Sequence, residues 1–286
     1  MTNGNYILRQ VARYGLIYAI VTLFAVFAAL PFFQMLVIAF KSDADFNNPR
    51  ENIPFWFNEA PTNEHLTYLL EETQYLTFIW NSLLIGVFVV GITLVFATPA
   101  AYSLARLTGR QGERLGILIF LVYLIPPTLL FIPMSRVVSF LELQNSKWAL
   151  VVIYPTFTIP FCTWLLFGFM KTIPKDIEEQ AMVDGYSRFG AMLRVVLPLA
   201  LPGLLTVVVF SFMLTLHEYI YALAFTTTSS EKPISVGVTT ELVRGDVFFW
   251  QSLMAAAVFV ALPIAVIYNL FLNRFVSGLT MGAVKG

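Results

Sequence analysis

Apolar residues along this chain gather into six long runs, at about 14–40, 80–107, 115–134, 148–170, 199–226 and 251–272, separated by polar, charged or proline-bearing stretches. About 20 residues of helix cross roughly 30 Å of hydrocarbon, and in a helix each segment satisfies its own backbone groups where no water can. The pattern therefore predicts an all-α, polytopic membrane protein of about six transmembrane helices, forming a single transmembrane domain over 1–286. Arg9 and Arg13 precede the first run as they would in a secretion signal. Its apolar stretch exceeds the roughly 7–15 residues of a signal core, so it reads as an uncleaved first helix.

The stretches between runs set the orientation. With the N-terminus inside, eleven of the 17 basic residues fall on the inner side: Arg9, Arg13, Arg106, Arg110, Arg114, Lys171, Lys175, Arg188, Arg194, Arg274 and Lys285. Lys41, Arg50, Arg136, Lys147, Lys232 and Arg244 fall outside. Positive charge stays with the cytoplasmic side, so both termini are expected there. The 41–79 stretch carries Asp43, Asp45, Glu51, Glu59, Glu64, Glu71 and Glu72 and reads as a small external cap; 227–250 is a second external loop. Prolines punctuate the runs at Pro31, Pro99, Pro126, Pro127, Pro155, Pro160, Pro202 and Pro263. Each reads first as an ordinary kink, and the Pro126-Pro127-Thr128 step is the best candidate for a break lining a pathway. No internal repeat is visible.

Composition narrows the classes further. Hydrophobic residues make up 58% and charged residues 12%, with a formal net charge of zero. Nucleic acid needs a surplus of clustered cations, so it is excluded as a partner. The single cysteine, Cys162, excludes internal disulfides and thiolate metal clusters, and His65 and His217 form no ligand motif, so no metal site is expected. No glycine opens a Gly-x-x-x-x-Gly-Lys-Ser/Thr phosphate loop, so neither ATP nor Mg is expected to be bound here, and no catalytic residue is assigned.

The inner stretch 173–198 is the most informative. It reads as a helix, a turn and a second helix. Pro174 suits a first turn, Asp176, Glu178 and Glu179 fall where the helix dipole favours negative charge, Gly185 is placed to end the first helix in a left-handed conformation, and Ser187 can cap the next. Ile177 and Ala181 are four apart, so the short helix is expected to offer an apolar face flanked by carboxylates to another protein.

This stretch resembles the cytoplasmic motif of binding-protein-dependent ABC permeases: Glu-Ala-Ala, three residues, Gly, nine residues, then Ile-x-Leu-Pro. Glu179, Ala181, Gly185, Leu197 and Pro198 match, with Val195 in the Ile position and Gln180 departing from the second Ala. His217-Glu218-Tyr219 with Tyr221-Ala222-Leu223, and the end from Ser277 to Gly286, resemble the carbohydrate branch and its second, maltose-type permease. The resemblance implies a coupling helix contacting ATPase subunits through Asp176, Ile177, Glu178, Glu179, Ala181, Met182, Asp184, Gly185, Tyr186, Leu197 and Pro198. It also implies a second homologous permease subunit, two ATPase subunits that bind the ATP and Mg, an external substrate-binding protein and a sugar substrate. Transport, with no catalysis in this chain, is the expected role.

Residues for the substrate path are read from chemistry. Glu218 is costly at membrane depth and must face a cavity, a partner or the interface. It is either a carboxylate hydrogen-bonded to neighbouring helices or, with His217, Tyr219 and Tyr221, a wall for a polyol ring. Tyr123 and Thr128, and behind them Tyr154, Thr156 and Thr158, are further candidates, for which helix packing is the competing reading. A non-sugar solute such as a polyol phosphate or a polyamine is the alternative substrate. A secondary transporter would need ion-coupling carboxylates in the runs, where Glu218 alone stands at one edge. A membrane enzyme would need a nucleophile, base or metal constellation, and none is visible.

Overall fold

A computed structural model describes residues 3–48 and 53–283 of the chain. Helix dominates them, as the runs predict. Residues 284–286, and the side chains from Ser277 onward that carry the terminal resemblance, lie outside what is described. The chain divides into two compact units, Met1–Thr73 with Leu242–Pro263, and Gln74–Glu241 with Ile264–Gly286.

In the first unit, α1 (Asn3–Ala39) is a long apolar helix with Pro31 inside it, followed by α2 (Asp43–Asn47) and α3 (Glu64–Thr67), which runs on into a π-turn, Tyr68–Glu72. The cap is tied at one buried ion pair. Lys41 Nζ donates to Asp45 Oδ1 at 3.3 Å and to the Ile53 carbonyl at 2.8 Å, while the Asn58 N–H donates to Asp45 Oδ2 at 3.0 Å. Burial pushes the Asp45 carboxyl up, but the Asn58 and Glu59 amides and the Lys41 ammonium outweigh it and hold it below its ordinary 3.8.

The second unit begins with α4 (Tyr75–Arg106), 32 residues or roughly 48 Å of helix. Next come α5 (Gln111–Tyr123), a 3₁₀ turn over Pro127–Leu130, α6 (Phe131–Phe140), α7 (Lys147–Ile153) and α8 (Pro155–Thr172). The short α9 (Lys175–Val183) and α10 (Arg188–Ala191) lead through a π-turn to α11 (Leu197–Leu199), then α12 (Leu201–His217), α13 (Ile220–Phe225) and α14 (Ile234–Leu242). Back in the first unit, a two-residue hairpin pairs Val243 with Phe248 around Gly245, and α15 (Trp250–Ala283) follows, belonging to the first unit up to Pro263 and to the second from Ile264. The 227–250 loop is therefore ordered as a helix and a hairpin.

Among the described residues, α1, α4 and Lys147–Thr172 are long and apolar enough to cross a membrane, and two bent pairs bring the total to as many as five. The bends refine the expected spans. Gln111–Tyr123 and Pro127–Phe140 meet at 79°, so the 115–134 run is broken at the anticipated proline pair. Arg188–Leu199 and Leu201–His217 meet at 76°, and the 199–226 run, expected to be continuous, is interrupted again at Glu218. Pro202 stands in the first turn of α12, where a missing N–H costs nothing, just past the 76° bend, and Pro155 stands in the first turn of α8 within the Lys147–Thr172 span.

Two buried clusters hold the second unit. One joins Ala97 and Ala101 to Leu166, Met170, Val196 and Val207; the other joins Ile85 and Val89 to Leu150, Ile153, Tyr221 and Ala222. Small residues let the helices approach closely: a Cβ on Gly203 would lie 2.6 Å from the Phe169 ring. Thr93 and Thr158 hydroxyls meet at 2.7 Å between α4 and α8, which makes Thr158 a packing residue. At the other end, fully buried Asn81 donates to the Ser230 and Lys232 carbonyls at 2.8 and 3.0 Å and pins the loop before α14.

Candidate functional site

The 173–198 stretch folds as helix, turn and helix. Pro174 (φ −57°, ψ 135°) stands just before α9, one residue earlier than a first-turn position. Gly185 takes φ 93°, and two bonds close a full Schellman end: the Gly185 N–H donates to the Met182 carbonyl at 3.2 Å and the Tyr186 N–H to the Ala181 carbonyl at 3.1 Å. Ser187 Oγ accepts from the Gly190 N–H at 3.1 Å and starts α10. Arg194 lies over the Tyr186 ring at 5.6 Å and braces the turn.

One carboxylate of α9 points inward. Glu178 accepts from the Tyr102 hydroxyl through Oε1 and from Arg106 Nε through Oε2 at 2.9 Å, while Arg106 Nη2 donates to the Ile173 carbonyl at 2.9 Å. The Arg106 and Glu178 side chains are 4% and 5% exposed. A pair this dry, with the remaining polar atoms bonded, fixes geometry, because removing either member strands a buried charge. The end of α4 and the start of α9 are thereby fastened together.

This anchor sets which face of α9 is free. Glu178 and Ala181, three apart, are buried against the chain, and Met182 is half-buried. Asp176, Ile177, Glu179, Asp184, Gly185 and Tyr186 are exposed, as are Val183 and, on α10, Phe189. Leu197 is half-buried and Pro198 exposed. The expected face shared by Ile177 and Ala181 is thus divided: Ala181 is spent on internal packing, and Ile177 lies outside with Glu179 and Val183. Sequence reasoning missed Tyr102 and Arg106. Their signal was present, an i, i+4 pair on one face at the C-terminal end of an apolar run.

A second constellation surrounds the breaks. After α12, Glu218 leaves the helix (φ −71°, ψ 128°), and its carboxylate accepts from the Tyr221 and Ala222 N–H groups at 2.8 and 3.0 Å and from the Tyr154 hydroxyl at 2.8 Å. It satisfies two donors of the first turn of α13 that would otherwise be orphaned. Tyr221 is buried and donates through its hydroxyl to the Pro127 carbonyl at 2.7 Å, so the break after α5 and the break after α12 are joined. Of the polyol-wall candidates, Glu218 and Tyr221 therefore build the frame, while His217, Tyr219 and Thr128 stand exposed beside it. Tyr123 is half-buried, with the Phe120 and Phe161 rings 6.0 and 5.0 Å away. Thr156 turns back onto the Ile153 carbonyl at 2.7 Å.

Comparison with known proteins agrees with this architecture. The sulfoquinovosyl glycerol transport system permease SmoH of Agrobacterium fabrum is 34% identical over 232 residues, 81% of each chain. The diacetylchitobiose uptake system permease DasC of Streptomyces coelicolor is 34% identical over 96% of this chain and 98% of its own. Among solved structures, a bacterial ABC transporter importing the acidic polysaccharide alginate shares the fold, with a TM-score of 0.75 at 19% identity over 93% of this chain and 98% of that one. A family model described as the binding-protein-dependent transport system inner membrane component matches residues 9–280. With broken apolar helices, a tethered short helix at Lys175–Val183 and a family match over nearly its whole length, the chain belongs to that family, as an ABC-transporter permease.

Proposed function

We propose that this chain is one of two permease subunits in an ATP-driven importer of a sugar or sugar derivative, and that α9 is its coupling helix. The observation that carries the reading is the division of α9: its back is bolted to α4 through Glu178, and its front presents Glu179, Ile177 and Val183 with no partner face among the described residues. A helix held in that way transmits displacement as a rigid body. ATP and Mg belong to two partner ATPase subunits gripping the exposed face. An external binding protein delivers substrate, and both termini lie in the cytoplasm. The named substrates of similar permeases, sulfoquinovosyl glycerol and diacetylchitobiose, support a carbohydrate class.

The substrate path runs along the joined breaks, past Thr128, His217 and Tyr219, with half-buried Tyr123 nearby. A ring face and hydroxyl-bonding groups together suit a polyol ring. The test is reconstitution of the full complex in proteoliposomes with its binding protein, followed by competition for uptake. ATP-dependent sugar uptake supports the reading. Uptake driven by an ion gradient without ATP, or competition by polyamines alone, overturns it.

A further inference from the structure

A cavity of about 440 Å³ opens in the second unit where α4 ends, α5 begins and α8 passes into α9. Its wall is cationic over an apolar floor: Arg106, Arg110, Lys171 and Lys175 line it with Glu113 and Phe167. Two of the cations are already committed. Arg106 is held by Glu178, and Lys171 pairs with Glu113 while lying 5.5 Å from the Phe167 ring centre. Among the described residues Arg110 and Lys175 form no ion pair, so the cavity carries an uncompensated charge of two. The first turns of α5 and α9 also open here, both without a side-chain cap, which adds the positive ends of two helix dipoles.

α4 and α8, which belong to spans long and apolar enough to cross a membrane, end at this cavity and α5 begins there, so in a bilayer the cavity would sit near the headgroups. We infer that the cavity binds the phosphate of an anionic phospholipid, with Arg110 and Lys175 as its cationic ligands and Phe167 beneath the glycerol region. Basic pockets between membrane helices recognise such headgroups, and cations on flexible stems reach them while their methylenes stay in apolar surroundings. The site abuts Ile173-Pro174-Lys175, the strand of chain that Arg106 fastens. A bound lipid therefore braces the root of α9, and coupling is expected to respond to anionic lipid content.

The test uses the full chain in nanodiscs of phosphatidylcholine doped with spin-labelled phosphatidylglycerol, read as the motionally restricted fraction. Each cation at an anionic headgroup contributes about fivefold in affinity, so Arg110→Gln with Lys175→Gln should weaken retention about twenty-five-fold. Spin-labelled phosphatidylcholine should be unaffected, and Lys175→Arg should retain the lipid. Each single substitution should lose about fivefold, which keeps the test open should the double variant fold poorly. Equal phosphatidylglycerol retention in wild type and variants overturns the proposal. Displacement by millimolar inorganic phosphate without lipid preference also overturns it and assigns the site to a soluble anion. Unchanged lipid retention with loss of the ATPase from pull-downs would make Arg110 and Lys175 partner contacts instead.

Discussion

Arg106→Gln separates the anchor of α9 from everything α9 touches outside the chain. The substitution leaves Glu178 a carboxylate at a site 5% exposed, keeps the Tyr102 hydrogen bond and removes the opposing charge. Stranding one member of a buried pair costs about 3–5 kcal/mol, and because both side chains are almost fully dry no solvent discount applies. Against the docked state of a nine-residue helix that is decisive. An opening of 3 kcal/mol raises the undocked population by about two powers of ten. Hydrogen exchange over 173–185 should accelerate accordingly, and ATP-dependent uptake in proteoliposomes should fall at least tenfold while the membrane helices keep their protection. Pairing it with Glu178→Gln removes both charges, so the double variant should be milder than the sum of the singles by about 2 kcal/mol or more. Strictly additive effects, or unchanged exchange in Arg106→Gln, would refute the idea that this pair holds α9.

Other positions make separate tests. Glu179→Lys reverses charge on the exposed face of α9 and should release ATPase subunits in pull-downs, whereas Gly185→Val forces a β-branched residue to φ 93°, costs about 1–3 kcal/mol and should uncouple hydrolysis from uptake. Gly203→Val drives a side chain into the Phe169 ring and should lower thermal stability by about 1–3 kcal/mol without altering α9 exchange. In the cap, the depressed Asp45 carboxyl contributes stability that is complete above its ordinary value of 3.8 and is lost as pH falls through its lower folded value. Proteolysis of 41–79 should therefore begin only below about pH 4 in the wild type, but near neutral pH in Lys41→Met, which strands Asp45.

The long apolar runs made the helical class legible, because a bilayer leaves few other ways to satisfy a backbone. The proline pair announced the break after α5, and Gly185 and Ser187 announced the turn between α9 and α10 through local chemistry that depends on no distant residue. What stayed hidden is long-range pairing. Glu178 and Glu179 are adjacent and chemically identical in sequence, yet one is buried on Arg106 and the other is free; only the approach of α4 to α9, 72 residues apart, distinguishes them. The interruption at Glu218 lay inside a run read as one helix: its bonds to the Tyr221 and Ala222 N–H groups are local, but the support from Tyr154 comes from another helix.

The most direct test of the account places a photo-crosslinker at Val183, 87% exposed on the outer side of α9, within the assembled importer, with a second at Leu118, 57% exposed on α5, as the control. The account predicts an adduct between position 183 and an ATPase subunit whose yield changes with bound nucleotide, and none from position 118. An import-competent complex in which position 183 gives no ATPase adduct in any nucleotide state would contradict it.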